Sequence, residues 1–147
     1  MSRDRRAELM ARMSAGFSRN MEAADRFLSC AEHTRGERSQ HKLAGFFVHQ
    51  AVETVYRSLI KALDGYDKKC HQIRALQKDV RICAPQFQAV FSDRNKEERR
   101  LLDLLEDCYL RGRYDETFTI SGEDLDALIT KAGSLRESAE RIVAGIT

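Results

Sequence analysis

Phe46-Phe47-Val48-His49-Gln50-Ala51-Val52-Glu53-Thr54-Val55-Tyr56-Arg57-Ser58-Leu59 sits at the middle of the most apolar segment of the chain. Extended outward to Gln40 and Asp64, that segment carries Leu43, Phe46/Phe47, Ala51, Val55, Leu59 and Ala62/Leu63 at steps of three and four. Such spacing is the period of an α-helix with one buried stripe. Gly65 follows, where a left-handed C-cap favours glycine. The helix is therefore expected at the centre of the fold. Glu53 and Arg57 lie four residues apart in the order that favours an ion pair, which a central helix would partly bury.

On the N-terminal side, Leu9, Met13, Phe17, Met21, Ala24, Phe27/Leu28 and Ala31 predict a first helix from about Arg3 to His33, with Gly16 as a point where it bends or breaks. The polar stretch 34–39 reads as a turn. On the C-terminal side, Ile73, Leu76, Val80 and Cys83 predict a third helix from about Lys69, which Pro85 ends or kinks. Phe87, Val90 and Phe91 form a short apolar piece. Ser92 or Asp93 is placed to cap a fourth helix, which carries Leu101, Leu104/Leu105 and Cys108 and stops at Gly112. Residues 113–120 are β-branched and polar, an extended loop. Ser121 and Asp124 then resemble a capping box before a fifth helix running through Leu125, Leu128/Ile129, Ala132, Leu135, Ala139 and Ile142 to Gly145. Five helices with short connections predict an all-α, antiparallel up-and-down bundle, one domain over residues 1–147.

Composition agrees with this reading and removes several function classes. Charged residues make up 33% and apolar residues 42%, the balance of a folded globule rather than a disordered chain. With 25 basic and 23 acidic residues the net charge is +2, so any nucleic-acid affinity must be local rather than global. No apolar run approaches the ~18 residues of a membrane span, and no signal-peptide pattern follows Met1. Cys30, Cys70, Cys83 and Cys108 form no C-x-x-C pair and read as free thiols of a cytoplasmic protein. Cys30 and His33 are three apart, but no second pair has metal-ligand spacing, so no metal and no cofactor are expected.

Three short motifs then appear in a fixed order: the Gln50-Ala51-Val52-Glu53 run after an aromatic pair, Cys70-His71-Gln72-Ile73-Arg74-Ala75-Leu76, and Arg111-Gly112-Arg113-Tyr114. In order and spacing they resemble the HEPN family of helical nucleotide-binding domains, over roughly residues 20–143. Thr54, Gln72 and Asp115 depart from residues usual in that pattern. The resemblance implies a helical bundle, a homodimer, and one of three roles: a module binding nucleotide or RNA, a partner of a nucleotidyltransferase, or a metal-independent ribonuclease of the toxin–antitoxin kind. It carries no implication of a membrane.

The ribonucleases of the family use an arginine followed after four to six residues by a histidine, usually on a late helix. Arg94-Asn95 begins such a motif, but positions 98–101 hold Glu98, Arg99, Arg100 and Leu101, and no histidine follows His71. The sequence therefore favours a non-catalytic module with no catalytic residues. Arg35 and His41 fit the bare spacing before the second helix, where a polar turn is the competing reading.

Ligand-binding candidates are Lys68, Lys69 and His71 at the expected start of the third helix, together with Arg111, Arg113 and Tyr114. Glu53 and Arg57 are the supporting pair. A helix N-terminus beside two lysines favours an anion, while arginine and tyrosine together grip a phosphate and stack on a base. Competing readings stand beside these. His71 would lock a turn, Tyr114 would plug the bundle end, Arg113 would pair with Glu53, and His49 would be a satisfied core histidine.

Overall fold

The computed structural model describes residues 2–85, 87 and 90–146. It is an all-α, antiparallel up-and-down bundle of five helices: α1 (Arg3–Thr34), α2 (His41–Asp64), α3 (Ile73–Cys83), α4 (Lys96–Leu110) and α5 (Gly122–Ile146). A 3-10 turn, Arg38–Gln40, leads into α2. Among the described residues there is no strand, and no helix is long and apolar enough to cross a membrane.

α2 occupies the centre because it is apolar on more than one face. It packs against α1, α3, α4 and α5. Val48, Val52, Tyr56 and Ile60 are buried beside the expected stripe positions Ala51, Val55 and Leu59. Each fully buried aliphatic or aromatic side chain of this kind contributes about 1.5–3 kcal/mol to folding. Gly65 closes the helix at φ 74°, the left-handed conformation expected of it.

The first helix differs from expectation at its start. It is continuous through Gly16, and Leu9 and Met13 remain exposed; burial begins only at Phe17, Met21 and Ala24. The cost of one glycine in a helix, about 1 kcal/mol, is absorbed by a helix of 32 residues that is anchored along its second half. Ser2 caps it, accepting from the Arg5 amide at 3.2 Å.

α3 starts at Ile73, four residues later than expected. Its first amides are not satisfied locally. The Ile73 and Arg74 N–H groups donate to the Glu106 carboxylate of α4 at 2.7 and 3.5 Å. A tertiary cap of this kind leaves no signature in neighbouring residues. α4 is capped by Asn95, whose Oδ1 accepts from the Glu98 amide at 2.9 Å, rather than by Ser92 or Asp93. Ser92 donates instead to the Glu98 carboxylate at 2.9 Å. At α5 only half of the capping box forms. Ser121 Oγ accepts from the Asp124 amide, while the Asp124 carboxylate turns outward to Arg100. The stretch 113–120, expected as an extended loop, is instead mostly turns: the Tyr114 and Asp115 amides donate to the Arg111 carbonyl and the Phe118 amide to that of Asp115, and buried Phe118 and Ile120 pin the connection. Cys108 is buried, Cys83 only half-buried, and all four thiols are free.

Candidate functional site

On α2, Phe46, His49/Gln50, Glu53 and Arg57 follow one another at steps of three and four and so share one face. Two other segments converge on it. One is the non-helical stretch 66–72 released by Gly65; the other is the last turn of α4 with the turn that follows it.

The polar half of the cluster centres on Glu53, a carboxylate only 5% exposed. Its Oε1 accepts from His71 Nδ1 at 2.7 Å, and Oε2 accepts from Arg57 at 3.4 Å. Arg57 reaches on to Asp67 at 3.1 Å. His71 is half-exposed, and among the described residues its Nε2 has no partner. One turn back, buried His49 donates from Nε2 to the His71 carbonyl at 3.0 Å. The Gln50 amide donates to His49 Nδ1 at 3.3 Å. One ring nitrogen faces an acceptor and the other a donor, so the partners select the neutral Nε2–H tautomer.

Burial pushes the His49 pKa down to about 4, against an upward pull from the hydrogen bond to His71 and further lowering by the His71 and Arg113 charges. The folded state therefore refuses a proton that the unfolded chain accepts near its ordinary value of 6.5. As pH falls from about 6.5 to about 4, stability should fall by on the order of 3 kcal/mol from this group. Urea midpoints measured at intervals from pH 7 to 4.5 should show that slope. His49→Gln, which can still donate to the His71 carbonyl, should remove it. Equal slopes in the two proteins would contradict this assignment.

The aromatic half centres on Tyr109 of α4. Its ring stacks on His71 at 4.7 Å and on His49 at 4.9 Å between centroids, with interplanar angles of 18° and 24°. Phe46 lies parallel at 6.2 Å. Arg113 places its guanidinium over Tyr109 at 4.6 Å, over Tyr114 at 5.1 Å and over Phe46 at 5.2 Å. Among the described residues Arg113 makes no ion pair. Gly112 permits this return of the chain. A Cβ there would lie 2.3 Å from the Cys108 carbonyl oxygen, so only glycine fits the turn between Tyr109 and Arg113.

The structure thus brings Glu53, Arg57, His71, Arg113 and Tyr114 of the predicted set into one cluster. Tyr114 is 79% exposed and does not plug the bundle. Arg113 does not pair with Glu53, whose carboxylate is taken by His71 and Arg57. Three candidates stand apart. Arg111 is bound to Asp115 at 2.8 Å and covers the Phe118 ring, pinning the loop. Lys68 is held by Asp79 of α3. Lys69 is exposed and, among the described residues, is not joined to the cluster by a hydrogen bond or ion pair. The expected helix N-terminus beside His71 is already filled by Glu106, so it offers no free anion site. The Arg35–His41 pair is also engaged. Arg35 binds Asp126, and both His41 ring nitrogens face backbone carbonyls, of Arg35 at 3.0 Å and Ile120 at 3.2 Å.

Tyr109 and Phe46 are the members that sequence reasoning left out. Tyr109 lies one residue off the apolar stripe of its helix, and the available signal was an aromatic placed four residues before Arg113. Among the described residues no group of three His, Cys, Asp or Glu side chains is arranged to hold a metal. The family description that matches the chain is HEPN domain, over residues 17–142. No curated protein matches it.

Proposed function

The chain belongs to the HEPN domain family, and on that premise we propose that it is a non-catalytic module whose Arg113–Tyr109–His71 face binds a nucleotide or a short single-stranded RNA. The observation that carries the proposal is the state of Arg113. Three rings hold its guanidinium in place, yet among the described residues no carboxylate neutralises it. Guanidinium donors of this kind take a phosphate in bidentate fashion. Exposed Tyr114 beside it offers a flat surface on which a base stacks, an interaction worth about 1–3 kcal/mol per base. Calorimetric titration with ATP, GTP and a short RNA tests the reading. At least one should bind, and Arg113→Ala should weaken it at least about tenfold, or roughly 1.4 kcal/mol, without changing helicity. An unchanged affinity in Arg113→Ala would remove the proposed face.

A second reading rests on the Glu53–His71 pair. The carboxylate fixes the Nδ1–H of an exposed imidazole and leaves Nε2 free, the arrangement of a general base beside a phosphate-binding arginine. A metal-independent ribonuclease would use it. RNA cleavage in chelator-treated buffer that disappears in His71→Ala would favour this reading over simple binding. Partnership with a nucleotidyltransferase, or self-association as a homodimer, belongs to the same proposal. Leu9 and Met13, exposed on α1, are apolar surface that such pairing would cover.

A further inference from the structure

A cavity of about 500 Å³ opens beside the C-terminal half of α3, away from the stacked cluster. Its size falls within the range of about 300–1,000 Å³ usual for small-molecule sites. Tyr56, Phe87 and Phe91 supply aromatic walls, with Tyr56 and Phe87 meeting edge to face at 6.5 Å. Gln77, 8% exposed, lies in the lining. Its Nε2 donates to Tyr56 Oη at 3.2 Å and to the Phe91 carbonyl at 2.6 Å, which uses both amide hydrogens. Among the described residues its Oε1 has no partner and is left as an acceptor. Burial pushes the Tyr56 pKa up to about 12, so the hydroxyl stays neutral. It accepts from Gln77 and keeps its own proton to donate.

Charge at the mouth is asymmetric. Three arginines, Arg74, Arg81 and Arg94, face one aspartate, Asp93. Asp103 holds the Arg74 guanidinium at 2.6 Å. Arg81 and Arg94 make only long contacts through Nε, to the Gln77 carbonyl and to Ser92 Oγ, each at 3.4 Å. Neither has a carboxylate partner among the described residues. An aromatic slot with an unused acceptor and donor at its buried end, and two uncommitted guanidiniums at its rim, is complementary to one chemical shape.

We propose that this cavity binds a small organic anion built on a flat ring. The ring lies against Phe87 and Phe91, its polar edge meets Gln77 Oε1 and the Tyr56 hydroxyl, and its phosphate or carboxylate is held by Arg81 and Arg94. The inference concerns a different surface from the Arg113 face and does not depend on it.

The probes are AMP and 4-hydroxybenzoate, with adenosine (ring without charge) and inorganic phosphate (charge without ring) as comparisons. They are titrated calorimetrically into the full chain. AMP or 4-hydroxybenzoate should bind at least about tenfold more tightly than either comparison compound. Which of the two wins distinguishes phosphate from carboxylate. The double variant Arg81→Ala/Arg94→Ala changes two exposed side chains and should keep its circular dichroism while losing at least about tenfold in affinity. In an independent readout, the Gln77 side-chain amide resonances should shift on saturation. Failure of both probes to bind below millimolar concentration would overturn the proposal. So would binding that survives the double variant, or saturable binding that leaves the Gln77 resonances unmoved.

Discussion

Glu53→Ala should destabilise the protein by about 2–3 kcal/mol and release His71 from the cluster. Removing one partner of a fully buried ion pair costs roughly 3–5 kcal/mol, because the remaining charge is left without compensation. Here the carboxylate is buried but its partners are not. His71 is half-exposed and Arg57 reaches solvent and keeps Asp67, so the lower figure applies. Part of the loss comes from the void left in a helix packed on every side. Glu53→Gln separates the two contributions. It keeps the shape and an acceptor for His71 Nδ1, and should cost about 1 kcal/mol. Urea midpoints give both values, and an alanine variant within about 0.5 kcal/mol of the parent would show that Glu53 does not organise the cluster. The His71 ring resonances should shift in Glu53→Ala far more than in Glu53→Gln.

Gly112→Ala should be as damaging to binding as loss of Arg113 itself. The added methyl would sit 2.3 Å from the backbone oxygen of Cys108, a contact that no side-chain rotation relieves. The chain must therefore leave α4 along another path, which carries Arg113 off the Tyr109 ring. A stability loss of about 1–3 kcal/mol should accompany it. Gly133 provides the internal control, since a Cβ there meets nothing within 4 Å. In the middle of α5, Gly133→Ala should be neutral or stabilising by up to about 1 kcal/mol. If Gly112→Ala bound RNA or nucleotide as the parent does, the turn would not be what positions the arginine.

The fold was legible where burial is periodic. α2 and its glycine cap follow from Ala51 through Gly65, although Leu43, counted in the same stripe, is exposed; α5 follows from Leu125 through Ile142. Legibility ended where long-range partners decide. The start of α3 depends on Glu106, 33 residues further along the chain. Leu9 and Met13 have the helical period of core residues, yet both remain exposed. Of the candidate site, Glu53, Arg57, His71, Arg113 and Tyr114 were readable as residue types at suggestive positions. Their common element was not, because Tyr109 resembles any half-buried helix aromatic until His49, His71 and Arg113 are seen around it. Lys68 was singled out beside His71 at an expected helix start and Arg111 within the Arg111–Tyr114 motif, and sequence does not reveal that Asp79 and Asp115 already satisfy them.

The central claim is that the Arg113–Tyr109–His71 face receives the ligand. Titrating a short single-stranded RNA, or failing binding of RNA the tightest nucleotide, into isotopically labelled protein tests it most directly. The Tyr109 and Tyr114 rings, the His71 imidazole and the Arg113 Nε–H should shift together along one saturable curve, while α5 resonances stay fixed. Saturable binding that leaves those four side chains unmoved, or shifts confined to another face of the bundle, would contradict it.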